Sequence, residues 1–397
     1  MDNGETLRGI KVMTRVATGA RLAAVALVTS AMCSAPAAAQ VQTDPLGTTE
    51  LSAPPSPHWV WVNDVVFHHM ADGKTFLLDG DSGRMLGMLS TGFGYNGIVL
   101  GKGGSQLLSP ETYFSRGTRG TRTDVVTFYD PRKLSPVAEV SIPAKRASTM
   151  PMLANTPVTD DSRFLLIYNF TPAQSVSVVD VTARKFVGEI EIPGCALVYP
   201  TGPRAFFSLC GDGTALQVRI DDSGGAVSKN RTAKLIDPVD DPVTEKGVRD
   251  GTGWIFVTFS GKVVRIDATT SALQAQTAWS LLDAADGKDS WRPGGMQHLA
   301  LHGPTRRMYS LMHIGGQDSH KDPGTEVWVY DLAGQKRIQR TALKDPATSI
   351  AVTRDAKPLL FAIFIGASKV NVYDALSGRF LRSISEIGFS PTTLVTY

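Results

Sequence analysis

Residues 368–384, SKVNVYDALSGRFLRSI, alternate apolar and polar side chains up to Asp374, turn at Ser377 and Gly378, and alternate again. Six other stretches align on the same aspartate. TFLLDGDSGRMLGML places Asp79, VVTFYDPRKLSPVAEVSI places Asp130, SVSVVDVTARKFVGEIEI places Asp180, LQVRIDDSGGAV places Asp221, KVVRIDATTSALQAQ places Asp267 and EVWVYDLAGQKRIQR places Asp331. The spacing averages about 49 residues, the length of a four-stranded propeller blade. A strand, a polar turn and a second strand cannot enclose a core alone, so such units must stack on one another, and a ring of them leaves few sheet edges exposed. The expected fold is therefore all-β: a seven-bladed β-propeller of four-stranded antiparallel blades over residues 58–397, its first strand at 58–62. An array of β-sandwiches is disfavoured, because its repeat would be nearer ~100 residues. The recurring carboxylate reads as structural, since Asp accepts hydrogen bonds from backbone N–H groups two or three residues on.

The first 39 residues follow a different logic. Arg8, Lys11, Arg15 and Arg21 precede the apolar run LAAVALVTSAM, and APAAAQ supplies small residues for cleavage near Ala39. This is the layout of a secretory signal peptide, and Leu22 to Met32 falls far short of the ~20 residues a membrane-spanning helix needs. Export to the periplasm is expected, with residues 40–57 as a Pro-rich extended arm.

The formal net charge is +3. The signal accounts for +2 of it, and no Lys/Arg block is present, so neither nucleic acid nor a membrane surface is an expected partner. Cleavage leaves Cys195 and Cys210, and two cysteines fifteen positions apart in an exported chain most simply form one disulfide.

The motifs that suggest chemistry fail on context. GFGYNG at 92–97 fits G-x-G-x-x-G, but a strand-like IVL and a turn-like GKGGSQ follow it where a dinucleotide site needs a helix. Its glycines read as shaping an interblade loop, with Phe93 and Tyr95 on a flexible rim. His68 and His69 would point to opposite faces of a strand. His298 and His302 have i, i+4 spacing within a strand-like stretch. His313 and His320, with Asp318 between them, match no metal-ligand spacing, so no metal site is expected. There is no G-x-S-x-G, H-E-x-x-H or C-x-x-C-H motif. The blade turns also lack the Trp often found in propellers that hold a quinone in their own channel. The long stretch from Asp267 to Asp331 is where loops for binding are expected.

Stretches spread over nearly the whole mature sequence carry a resemblance: VNDVVFHHM, TYFSRGTRGTRTDVVTFYD, IPAKR at 142–146, FTPAQSVSVVDV, IPGCALVYPTGPRAFFSLCGDG, WSLLDAADGKDSWRPGG and RMYSLMHIGGQDSHKDPGTEVWVYD. Together they resemble the heavy (large) subunit of quinoprotein amine dehydrogenases. The wording of TYFSRGTRGTRTDVV, WSLLDAADGKDSW and RMYSLMH is closer to the aromatic-amine branch than to the methylamine branch.

The resemblance implies a seven-bladed propeller in a complex of two heavy and two light subunits. It also implies a tryptophan tryptophylquinone made from light-chain tryptophans. The reaction would be oxidative deamination of a primary amine to an aldehyde and ammonia, with electrons passed to a cupredoxin of the azurin or amicyanin type. No catalytic residue is then expected on this chain. Phe93 would sit at the mouth of the substrate channel as a gate, and Cys195–Cys210 would be the family's heavy-chain cystine. The sequence departs from aromatic-amine members around Gly92 to Gly97. Two other classes compete with this reading: a free-standing periplasmic propeller that binds ligand or protein, and a lactonase-type propeller hydrolase with an ion in its channel.

Overall fold

The computed structural model describes residues 47, 49–95, 97–269, 272–276 and 278–397. The expected signal peptide lies outside them. Among the described residues the strands sort into seven antiparallel sheets. Blade 2 shows the unit: Val99–Leu100 innermost, then Leu107–Phe114, Arg122–Tyr129 and outermost Pro136–Ile142.

Burial follows position in the blade. Middle strands are covered on both sides by neighbouring blades and read as apolar runs, as in FLLIYN at Phe164–Asn169, buried throughout. Outer strands meet solvent on one side and alternate, as in KFVGEIE at Lys185–Glu191. The core is accordingly laid down between blades: Val126 of blade 2 packs with Leu165 and Val179 of blade 3, and Val60 of blade 1 with Phe361 and Val372 of blade 7.

The ring closes within blade 1. The C-terminal strand Pro391–Thr396 takes the innermost place and pairs antiparallel with Trp59–Asp64, Trp61 opposite Val395. Lys74–Asp79 and Met85–Ser90 complete that sheet. The first strand thus runs from Trp59, one residue later than expected, and ends at Asp64. Ahead of it, the Leu51 amide donates to Arg132 O at 2.9 Å and Glu50 pairs with the Arg132 guanidinium at 2.6 Å.

The anchoring aspartates all lie at the turns between the third and fourth strands, on one face of the ring. Asp79, Asp130, Asp180, Asp221, Asp331 and Asp374 each accept a backbone N–H two or three residues on. In Asp79 burial opposes ionisation, but the bonds from Ser82 and the turn amides outweigh it and hold the carboxyl below its ordinary range. Asp267 differs: its carboxylate accepts from Arg265 and Gln276 side chains.

Three blades depart from the repeat: in blade 5 the outermost strand is split into Leu273–Ala275 and Trp279–Ser280, both paired with Lys262–Ala268. In blade 3 the innermost place is held by Val158, bridged to Leu165, rather than by a full strand. In blade 6 the innermost strand is split into Trp291–Pro293 and Leu299–His302, both paired with Arg307–Ile314. The preceding insertion carries a short helix, Ala284–Lys288, capped by Asp283. His68 and His69, expected in a strand, are exposed in the turn after Asp64, because the first strand ends there.

Candidate functional site

The two faces of the ring are built differently. The aspartate turns and the links from first to second strand occupy one. The other, here the loop face, carries the second-to-third turns, including the one holding His320, and all the interblade connections, including the one holding Phe93.

Phe93 is half-buried and packs edge-on against Phe114 of blade 2, ring centres 5.0 Å apart. Its loop is tied down rather than flexible. Phe93 N donates to Thr112 O at 2.7 Å, Gly94 N to Met70 O at 2.8 Å and Tyr95 N to Ser148 O at 2.7 Å. Gly92 and Gly94 both adopt a φ of 80°, and a Cβ there would lie 2.6 Å from Thr112 O and 2.3 Å from Ser148 O. The glycines therefore permit close docking of backbone on backbone. Tyr95, expected on the rim, is buried, its hydroxyl 2.9 Å from Thr393 Oγ1. Burial pushes its pKa up to about 12 against the opposing effects of Thr393 and Arg146.

Cys195 and Cys210 form a disulfide near the same face, opposite one another in adjacent strands of blade 4. His298, His313 and His320 all belong to blade 6, each with Nδ1 buried and without a hydrogen-bond partner. His298 Nε2 lies 3.0 Å from Thr244 Oγ1, His313 Nε2 lies 2.8 Å from Ser319 Oγ, and His320 stacks on Phe259. Burial, reinforced by the positive field of Lys246, pulls His298 well below the ordinary histidine value. Among the described residues no three His, Cys, Asp or Glu side chains converge as a metal-binding set.

A cavity of about 910 Å³ runs on the ring axis, lined by innermost strands of every blade. Lys246 reaches it and donates to Gly295 O at 3.0 Å. Burial lowers its pKa to about 8.

Sequence reading missed the apolar character of the loop face. Phe67, Met150, Phe170, Val239, Ile314 and Phe389 are exposed on its turns and connections, Val239 at 82% and Phe389 at 71%. Large apolar residues in turns, where polar ones are the rule, were the available signal. Others, among them Met85, Val137, Val227 and Ile338, are exposed along outermost strands.

The family profile "Methylamine dehydrogenase heavy chain (MADH)" matches residues 57–397. The methylamine dehydrogenase heavy chain of Paracoccus versutus is 32% identical over 349 residues, 87% of this chain and 81% of that one. That of Methylorubrum extorquens is 30% identical over 397 residues, 98% of this chain and 95% of the relative. Among solved structures, a Pseudomonas aeruginosa periplasmic gluconolactonase superposes with a TM-score of 0.58 at 16% identity, covering 85% of this chain and 98% of that one. The last likeness establishes the propeller fold alone. With the profile spanning all seven blades, the chain belongs to the methylamine dehydrogenase heavy chain family.

Proposed function

We propose that this chain is the noncatalytic heavy subunit of a periplasmic tryptophan tryptophylquinone amine dehydrogenase, two copies assembling with two light subunits. The family match over the whole propeller carries the reading. The exposed apolar side chains of the loop face support it, as they suit a docked subunit. Export is supported by the basic and apolar layout of residues 1–39 and by the disulfide.

The overall reaction takes a primary amine and water to an aldehyde and ammonia, releasing two electrons and two protons, with the electrons leaving to a cupredoxin. The quinone, built from light-chain tryptophans, supplies the electrophile and electron sink. This chain's part is to hold the light subunit and to place Phe93 at the substrate entrance, where it packs against the amine's side chain and restricts water.

The amine is read as aromatic. The relatives' names say methylamine and do not carry that finer assignment; its support is the edge-on pairing of Phe93 with Phe114, which offers an aryl group an aromatic surface.

Coexpression with a light-chain gene from the same source tests the proposal. Amine-dependent dye reduction and quinone absorbance should appear only in the complex. Amine oxidation by this chain alone, or failure of the two chains to associate, would overturn it.

A further inference from the structure

We infer that Arg146 is a positioning residue for Phe93: a buried clamp that sets the substrate entrance from behind the loop. The inference rests on the reading of Phe93 as the entrance gate.

Arg146 lies in the connection from blade 2 to blade 3 and is 3% exposed. Its guanidinium grips the Phe93 loop and the strand on which that loop docks. Nη1 and Nη2 donate to Tyr95 O at 3.2 and 3.3 Å, two residues beyond Phe93. Nε donates to Thr112 Oγ1 at 2.8 Å, and the Thr112 carbonyl in turn receives the Phe93 amide.

The clamp is itself held. Asp124, also buried, accepts the Arg146 amide at 3.1 Å, the Thr112 hydroxyl at 2.9 Å and both Nε and Nη2 of Arg122. Arg122 Nη2 then donates to Arg146 O at 2.8 Å. Two guanidinium groups and one carboxylate thus lock three segments together: the Phe93 loop, the blade 2 strand bearing Thr112, and the interblade connection. A planar fork can bridge a carbonyl and a hydroxyl in this way, and an ammonium cannot hold both in the same geometry. Burying a charged fork is costly, and here it is directed at the one loop that carries the gate.

The test compares wild type, Arg146→Lys, Phe93→Ala and the double variant, each as the complex with the light subunit. Two readouts are taken. In hydrogen exchange on the heavy chain, Arg146→Lys should speed exchange of the Phe93 and Tyr95 amides about tenfold while other interblade loops stay unchanged. In steady-state kinetics, the ratio of kcat/KM for 2-phenylethylamine to that for methylamine should shift about fivefold, in the direction given by Phe93→Ala, and the double variant should shift no further than Phe93→Ala alone.

Unchanged exchange in residues 91–98 would overturn the clamp. So would a ratio unmoved by Arg146→Lys, or one that adds to the Phe93→Ala effect. Should Arg146→Lys fail to fold, Thr112→Val, which removes the Nε acceptor, is judged by the same criteria. A wild-type complex that oxidises no amine defeats the proposed function, while the exchange readout still decides whether Arg146 holds the loop.

Discussion

Phe93 presents one ring to the loop face while its own backbone is fixed on both sides by glycines docked against carbonyls. With Phe93 at the substrate entrance, as proposed, removing the ring should change what passes it and leave the fold intact. Phe93→Ala is expected to alter the preference between small and aryl amines on the order of tenfold, the scale on which packing contacts discriminate substrates. An unchanged preference would take Phe93 out of the site.

His298 makes a second prediction, about pH. It is wholly buried, and burial with the nearby Lys246, His320 and His313 holds its folded pKa well below 6.5. The unfolded chain takes up a proton below about 6.5 that the folded chain refuses, so stability is full above that pH and falls below it, by up to about 1.4 kcal/mol per unit. His58 has the opposite sign. Burial lowers its pKa, but bonds to Asp81 and Asp355 outweigh this and raise it, adding stability that is present below 6.5 and lost as pH rises through the folded value. His298→Gln should flatten the loss of stability between pH 6.5 and 5 in denaturant titrations. An unaltered slope would mean that His298 is not the group refusing the proton.

At the scale of elements, the aspartate turns are local devices. Asp374 accepts the amides of Leu376 and Ser377 and the Ser377 hydroxyl. Asp374→Ala should cost about 1 kcal/mol in unfolding measurements, and Asp374→Asn less, because an amide oxygen still accepts. A loss no larger for Ala than for Asn would contradict the turn role.

This locality is why the blades were legible in the sequence: strand alternation, turn chemistry and repeat length are all written within a few dozen residues. What the sequence left unsaid depends on distant partners. The buried position of Tyr95 is set by Arg146, Ser148 and Thr393, the last almost 300 positions away, and within GFGYNG a tyrosine reads as exposed. In sequence the Gly-rich loop reads as slack, because glycine's freedom is visible there and the carbonyls it docks against are not. Split innermost strands in blade 6 were likewise hidden, since nothing local distinguishes Gly294 to His298 from an ordinary loop. The loop pattern places Phe93 on a rim, its role as a gate comes through resemblance alone, and the structure contributes its neighbours, Phe114 and Thr112.

At the scale of the whole molecule, closure of the ring by Pro391–Thr396 against Trp59–Asp64 leaves a rigid body with two unlike faces. One is pinned by polar turns. The other carries Phe93, the disulfide, His320 and exposed apolar side chains from blades all round the ring. In the proposed function the loop face is the preformed platform on which the light subunit docks.

The most direct measurement is the hydrogen-exchange footprint of the coexpressed light subunit on this chain. Protection should fall on the loop face, at residues 65–73, 91–98, 143–157 and 386–390, and leave the turns after Asp79, Asp130, Asp221 and Asp374 unprotected. Protection confined to those aspartate turns, or none on either face, would contradict the account.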